Sequence, residues 1–212
     1  MANLADLYPR VYVVGGGYPY IKMFFDEGFV GARSVEDADI VCFTGGEDVS
    51  PVYYGERLLA KTSCNPLRDA EEFAVWEEAE ALGRPKVGIC RGAQFLNVMN
   101  GGKLWQDVNN HTAQHEVKIV STGEIIGQQT STHHQMMRPS DSGEVLAVAC
   151  EATYKHAEST LETREEPGWD DVEAVWYPDT QSLCFQPHPE HLEGPCRRLF
   201  FNLIDDYIWG AA

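Results

Sequence analysis

The feature that most constrains how this 212-residue chain can fold is the run Gly88-Ile89-Cys90-Arg91-Gly92. A short apolar run, Pro85 to Ile89, leads into it, and a helical pattern from Gly92 to Asn100 leads out, ending at Gly101-Gly102. Glycines two before and two after a central cysteine let a strand turn sharply into a helix and hold the side chain out of the turn. The helix N-terminus then favours the thiolate. A buried structural cysteine is the common alternative, but here strand, glycines and helix all fall where such an elbow needs them.

The rest of the chain repeats the strand-then-glycine pattern. Val11 to Val14 ends at Gly15-Gly16-Gly17 and is followed by a helical stretch around Tyr20 to Glu27. Ala38 to Phe43 stops at Thr44-Gly45-Gly46. Strands that end in glycine loops and lead into helices indicate a parallel α/β sheet. Pro66 to Leu82 reads as an exposed acidic helix stopped by Gly83. Beyond residue 115 the pattern changes to strands and turns: His115 to Val120, Val145 to Glu151, Val172 to Tyr177 and Ser182 to Phe185. Arg197 to Trp209 closes as one amphipathic helix, and Glu158 to Glu173 reads as a mobile acidic surface segment. With no repeat or composition break, residues 1–212 are expected to form one domain.

Composition removes several function classes. Sixteen Lys and Arg against 33 Asp and Glu give a net charge of −17, which opposes binding to nucleic acid or to anionic membrane surfaces. No apolar stretch approaches membrane-spanning length, and the first residues lack a signal-peptide pattern, so a cytoplasmic protein is expected. The six cysteines are scattered without paired spacing and are expected to stay reduced.

A thiolate needs a base, and the base needs an orienting group. Gln186-Pro187-His188-Pro189-Glu190 supplies both after a strand: His188 can move the proton and Glu190 can hold the second ring nitrogen. Flanking prolines restrict the backbone at His188. Thr44 to Pro51 follows another strand, at the sheet edge where open α/β sheets bind ligands. Its glycine amides, together with the amide of Arg91, can face an oxyanion.

Gly15-Gly16-Gly17 lacks the third glycine of a dinucleotide loop, since Tyr20 stands there, and no phosphate-loop lysine is present. His111, His115, His133, His134, His188 and His191 show no zinc-ligand spacing on a helix with a carboxylate between them. No metal and no organic cofactor are expected.

Gly88 to Gln94 together with Gln186 to Glu190 resembles the class I (triad) glutamine amidotransferase superfamily. Thr44 to Pro51, Tyr54-Gly55-Glu56, Arg68-Asp69, Arg91, the stretch from Asn97-Val98 to Gln106-Asp107, and Thr132-His133-His134-Gln135 are similar to its gamma-glutamyl-gamma-aminobutyrate hydrolase branch. The resemblance implies a flavodoxin-like three-layer α/β fold with a central, mostly parallel sheet flanked by helices. It implies a triad of Cys90, His188 and Glu190, oxyanion amides from Gly45, Gly46 and Arg91, and a glutamyl head group held by Gln94, His133, His134 and Gln135. Two departures lie on the pocket wall: a shorter stretch between the first strand and Thr44, and Pro187 in place of an aromatic residue. The implied substrate is a small gamma-glutamyl amide or glutamine. Three readings stay open: a free-standing hydrolase, a glutaminase subunit delivering ammonia to a separate synthetase, and an idle binding or scaffold module.

Overall fold

The structure, a computed structural model, describes residues 8–108, 111–150 and 171–210, with the backbone of 157–158 and 163–164 between them. Its main sheet has the strand order β2-β1-β3-β4-β13-β12-β9-β6-β7. The parallel half comprises β1 (Arg10–Val14), β2 (Val30–Gly31), β3 (Ile40–Phe43), β4 (Lys86–Ile89) and β13 (Ser182–Phe185). The antiparallel half adds β12 (Val172–Tyr177), β9 (Glu144–Ala149), β6 (His115–Ile119) and β7 (Ile125–Gln129). Two antiparallel pairs stand apart, β5 (Lys103–Trp105) with β8 (Met136–Arg138), and β10 (Ala157–Glu158) with β11 (Thr163–Arg164). Apart from that last pairing, the acidic stretch expected to be mobile lies outside the described residues up to residue 170, and its end is no surface segment: Asp171, Val172 and Glu173 are buried where the chain enters β12.

Central strands β3, β4 and β13 are buried along their whole length, which explains their unbroken apolar runs. Alternate residues feed two cores. Ile40 and Cys42 pack with Met23 and Phe24 of α1 (Tyr18–Asp26) and with Phe200 and Ile204 of α4 (Pro195–Ile204). Val41 and Phe43 pack with Ala79 of α2 (Pro66–Ala81) and with Ala93, Phe95 and Leu96 of α3 (Arg91–Met99). Helices therefore cover both faces, giving the three-layer α/β arrangement.

Two sequence expectations are corrected. Helix α2 is not simply an exposed acidic face: Asp69 and Glu72 are buried, because each pairs with a buried arginine guanidinium. The closing helix runs to Trp209 as expected, but it starts two residues before Arg197 and its winding changes after Ile204. Proline starts it at Pro195, and residues Asp205–Trp209 widen into a π turn in which the Gly210 amide reaches the Asp205 carbonyl at 2.7 Å. Short strands β2, β5 and β8 carry too few residues for periodicity to reveal. No disulfide joins any of the six cysteines. Among the described residues no helix is long and apolar enough to cross a membrane.

Candidate active site

Cys90 sits between β4 and α3 with φ 52° and ψ −109°, a conformation seldom adopted by a residue with a side chain. The two glycines make this turn possible. A Cβ on Gly88 would lie 2.4 Å from the Gly92 carbonyl group, and one on Gly92 would lie 2.1 Å from the Phe43 oxygen. The Cys90 amide is fixed to the Phe185 carbonyl at 2.9 Å, tying the elbow to the neighbouring strand β13.

That strand delivers the histidine. Directly after β13, the His188 amide donates to Thr130 Oγ1 at 3.0 Å, and the Thr130 hydroxyl donates to the His188 carbonyl at 2.7 Å. Nδ1 of His188 lies 2.7 Å from Glu190 Oε1, both side chains being buried. Burial pulls the imidazole pKa down, yet the neighbouring Cys90 sulfur and Glu190 carboxylate raise it to about 10. The imidazolium form of His188 is thereby favoured. Thr132 Oγ1 stands 2.9 Å from His188 Nε2, a contact the sequence did not single out.

The loop after β3 supplies the opposite wall. A Cβ on Gly45 would lie 3.7 Å from Cys90 Cβ and 3.3 Å from His188 Cε1. The Gly45 N–H donates to the Tyr20 hydroxyl at 3.2 Å. The amide expected to face an oxyanion is therefore engaged by Tyr20 in this structure. The Arg91 amide opens helix α3, where intrahelical acceptors do not exist. Gly46, with φ 151°, completes the turn. Tyr20 comes from α1; its hydroxyl pKa is raised by burial first and then by the neighbouring Glu190 carboxylate.

Gln94, His133, His134 and Gln135 all line one cavity of about 160 Å³ together with Cys90, Gly46, Glu47 and Asp48. Gln94 donates its amide to the Gln135 carbonyl at 3.1 Å and to Gln186 Oε1 at 3.2 Å. Burial pushes the His133 pKa down to about 4, and its Nδ1 lies 2.8 Å from the Gln135 carbonyl. His134, half-exposed, has its pKa raised by Asp48 at 3.1 Å. Glu47 is held down to about 2, chiefly by its own backbone amide against burial, with help from Arg68. The cavity thus carries anionic groups that suit an ammonium.

Behind the loop runs a chain of charges that sequence reasoning missed. Arg91, read from sequence as a backbone donor, sends its side chain into the interior to pair with Asp69 and Glu72. Arg68 bridges Glu72 at 2.8 Å and Glu47 at 2.7 Å, and donates to the Gly45 carbonyl at 2.9 Å. Asn65 caps α2 by accepting from the Leu67 and Arg68 amides, which sets where Arg68 begins. The sequence signal was present: Glu72 stands at i+4 from Arg68 and at i+3 from Asp69, so each is its neighbour on the helix surface.

With this geometry in place, comparison with known proteins is informative. Residues 2–190 match the family described as Peptidase C26. The Mycobacterium tuberculosis protein Rv2859c, named a glutamine amidotransferase, is 33% identical over 181 residues, covering 76% of this chain and 53% of that protein. The glutamine amidotransferase-like protein YvdE of Lactococcus lactis is 40% identical over 97 residues, covering 45% of this chain and 39% of its own length. The chain spans about half the length, or less, of these curated relatives. In architecture it is similar to the structure of PurLQS from Thermotoga maritima, with TM-score 0.65, 16% identity and coverage of 95% and 99% of the two chains. A glutamine amidotransferase from Thermotoga maritima superposes with TM-score 0.60 at 14% identity, covering 96% of this chain and 86% of that one. Those likenesses concern the fold, an α/β sheet flanked by helices as in class I glutamine amidotransferases. Because the family match runs through the elbow, the glycine loop and Glu190, the chain belongs to the Peptidase C26 family and is glutamine amidotransferase-like.

Proposed function

We propose that the protein hydrolyses a gamma-glutamyl amide, with Cys90 as nucleophile, His188 as acid and base, and Glu190 as the group that orients the imidazole. The observation that carries this reading is His188, buried, hydrogen-bonded to Glu190 at 2.7 Å and standing with Cys90 beside the same glycine, Gly45. The Cys90 thiolate forms a C–S bond to the gamma carbonyl carbon, and the oxygen takes the negative charge, facing the amides of Arg91 and Gly46. His188 passes its proton to the amine as the C–N bond breaks. Water then adds to the thioester, its proton returns to His188, and the C–S bond breaks to release glutamate and the thiolate. Gln94 and the His133 to Gln135 segment hold the glutamyl head group, with the acidic residues Glu47 and Asp48 on the ammonium side. By the branch resemblance, the amine side is larger than ammonia.

One contact favours a second reading, a glutaminase subunit whose site is idle until a synthetase docks. The Gly45 amide is taken up by Tyr20, which leaves the oxyanion site one donor short. Steady-state release of amine from a panel of gamma-glutamyl amides, glutamine included, with the isolated chain decides between them. Turnover of a gamma-glutamyl amine larger than glutamine, lost in Cys90→Ala, is the expected result. Weak glutamine hydrolysis that rises many-fold only with a second protein would establish the subunit, and undiminished activity in Cys90→Ala would remove both readings.

A further inference from the structure

A second cluster of metal-ligating side chains lies at the antiparallel end of the sheet, outside the Cys90 chemistry. His111, Glu173 and Asp171 are 2%, 1% and 2% exposed. His115 Nε2 lies 3.1 Å from Glu173 Oε1, and His111 Nδ1 lies 3.6 Å from the same oxygen. One ligand atom from each of His111, His115 and Glu173 falls within 4.8 Å of the others. In each imidazole the second nitrogen is directed at an acceptor: His111 Nε2 is 3.1 Å from Asp171 Oδ2, and His115 Nδ1 is 3.4 Å from the Ala113 carbonyl. Carboxylates and carbonyls at the outer nitrogen are the partners that orient histidines around a metal, with the inner nitrogen available as its ligand. Here both inner nitrogens converge on one buried carboxylate oxygen, where a metal ion can take the place of the proton that a histidine would otherwise share with Glu173.

A further observation points the same way. Glu173 Oε2 is buried and has no hydrogen-bond partner, and among the described residues no lysine or arginine pairs with Glu173. We infer that His111, His115 and Glu173 form a binding site for one divalent transition-metal ion of the zinc class. Two imidazoles and a carboxylate are a nitrogen–oxygen set suited to zinc, cobalt or nickel; calcium and magnesium prefer oxygen alone. The His-x3-His spacing is not on a helix, and β12 brings Glu173 in from 58 residues beyond His115, so the set exists only in the fold.

The site adjoins the pocket wall. The His111 carbonyl accepts from Ser131 Oγ at 2.5 Å and from the His133 amide at 3.1 Å, and the His133 ring stacks on His111 at 4.8 Å. His133 in turn lines the cavity that holds Cys90. An ion at this position fastens the 131–135 segment to the sheet and leaves the reacting sulfur untouched.

The test is a Co²⁺ titration of the whole chain after dialysis against a chelator, read by visible ligand-field absorption and by the unfolding midpoint. The background is Cys90→Ala, so that thiolate binding is removed. One equivalent is expected to saturate the band and raise the midpoint, with affinity falling at least ~10-fold in Glu173→Gln and in His115→Ala. His115, being partly exposed, is the milder change and decides the matter if Glu173→Gln fails to fold. Folded protein that takes up no cobalt overturns the site, as does uptake unchanged in both variants. Uptake lost instead in His191→Ala assigns the metal to the His188–Glu190–His191 group and likewise overturns it. None of these readouts depends on amidase activity.

Discussion

Arg91 and Asp69 form an ion pair whose side chains are 1% and 0% exposed, one residue after the elbow cysteine. Asp69 also accepts from the Ser50 amide at 3.1 Å, so this pair connects the start of α3 to the loop after β3. Burial lowers the Arg91 pKa first, while Asp69 supports the charged form; it stays at about 10, well above neutrality. The arginine after the cysteine therefore sets the distance between the two walls of the site.

Removing that cation leaves buried Asp69 with only its Ser50 hydrogen bonds and Glu72 with Arg68 alone. Arg91→Met is expected to cost about 3–5 kcal/mol of stability, the range for breaking a buried charge pair. Arg91→Lys should recover only part, because one ammonium cannot fork between Asp69 and Glu72. Urea unfolding of the three proteins checks this, and a midpoint unchanged in Arg91→Met would refute the account.

The elbow glycines yield a steric prediction. Gly88→Ala and Gly92→Ala each drive a Cβ to within 2.4 Å or less of main-chain atoms. Each should destabilise the fold by about 3 kcal/mol or more, because backbone cannot move aside as a flexible side chain can. Gly127→Ala is the control, since its nearest neighbour is Glu116 Oε1 at 3.8 Å. Thermal unfolding that ranks Gly127→Ala with the other two contradicts the steric reading.

The parallel core strands, the elbow and the strand before His188 were legible because each rests on local chemistry. Glycine, β-branched runs and proline fix the backbone within a few residues. The carboxylates Asp69 and Glu72 were not legible as buried, since a helix rich in Glu reads as a solvated face until its arginine partners are located. Arg91 lies 22 residues from Asp69, a separation no window along the chain spans. The engagement of the Gly45 amide by Tyr20, 25 residues away, was hidden for the same reason. Gln94, His133, His134 and Gln135 were named from resemblance alone. That they line one cavity follows from β8 and the segment before it folding back over α3.

Glu190 should control the pH response of the folded protein. The His188 pKa is raised from 6.5 to about 10 in the native state. A raised pKa means the native state holds its proton where the unfolded chain has lost it. Its stabilisation is therefore complete below about pH 6.5 and is lost as pH rises toward about 10. Glu190→Gln removes one of the supports, so its stability should fall less steeply across that window than the wild type does. Urea midpoints at several pH values across the window measure this. Equal slopes in the two proteins would show that Glu190 does not hold the imidazolium. Its amide-hydrolysis rate should drop without vanishing, since the glutamate orients and does not react.

Tyr20 offers the last prediction, because its hydroxyl accepts from the Gly45 amide at 3.2 Å and feels the charge of Glu190. If that contact keeps the Gly45 donor from a developing oxyanion, breaking it should help catalysis. A neutral hydrogen bond has a net value of about 1 kcal/mol, equivalent to ~5-fold in rate or population. Tyr20→Phe keeps the ring, and with it the packing of α1, while removing the oxygen. The expected outcome is a rise of about 5-fold in kcat on glutamine with KM unchanged, since the freed amide acts on the transition state and not on bound substrate. A fall in kcat instead assigns the hydroxyl to holding Glu190 in line with His188. In that case combining Tyr20→Phe with Glu190→Gln should give no further loss, because both changes then act through the same imidazole.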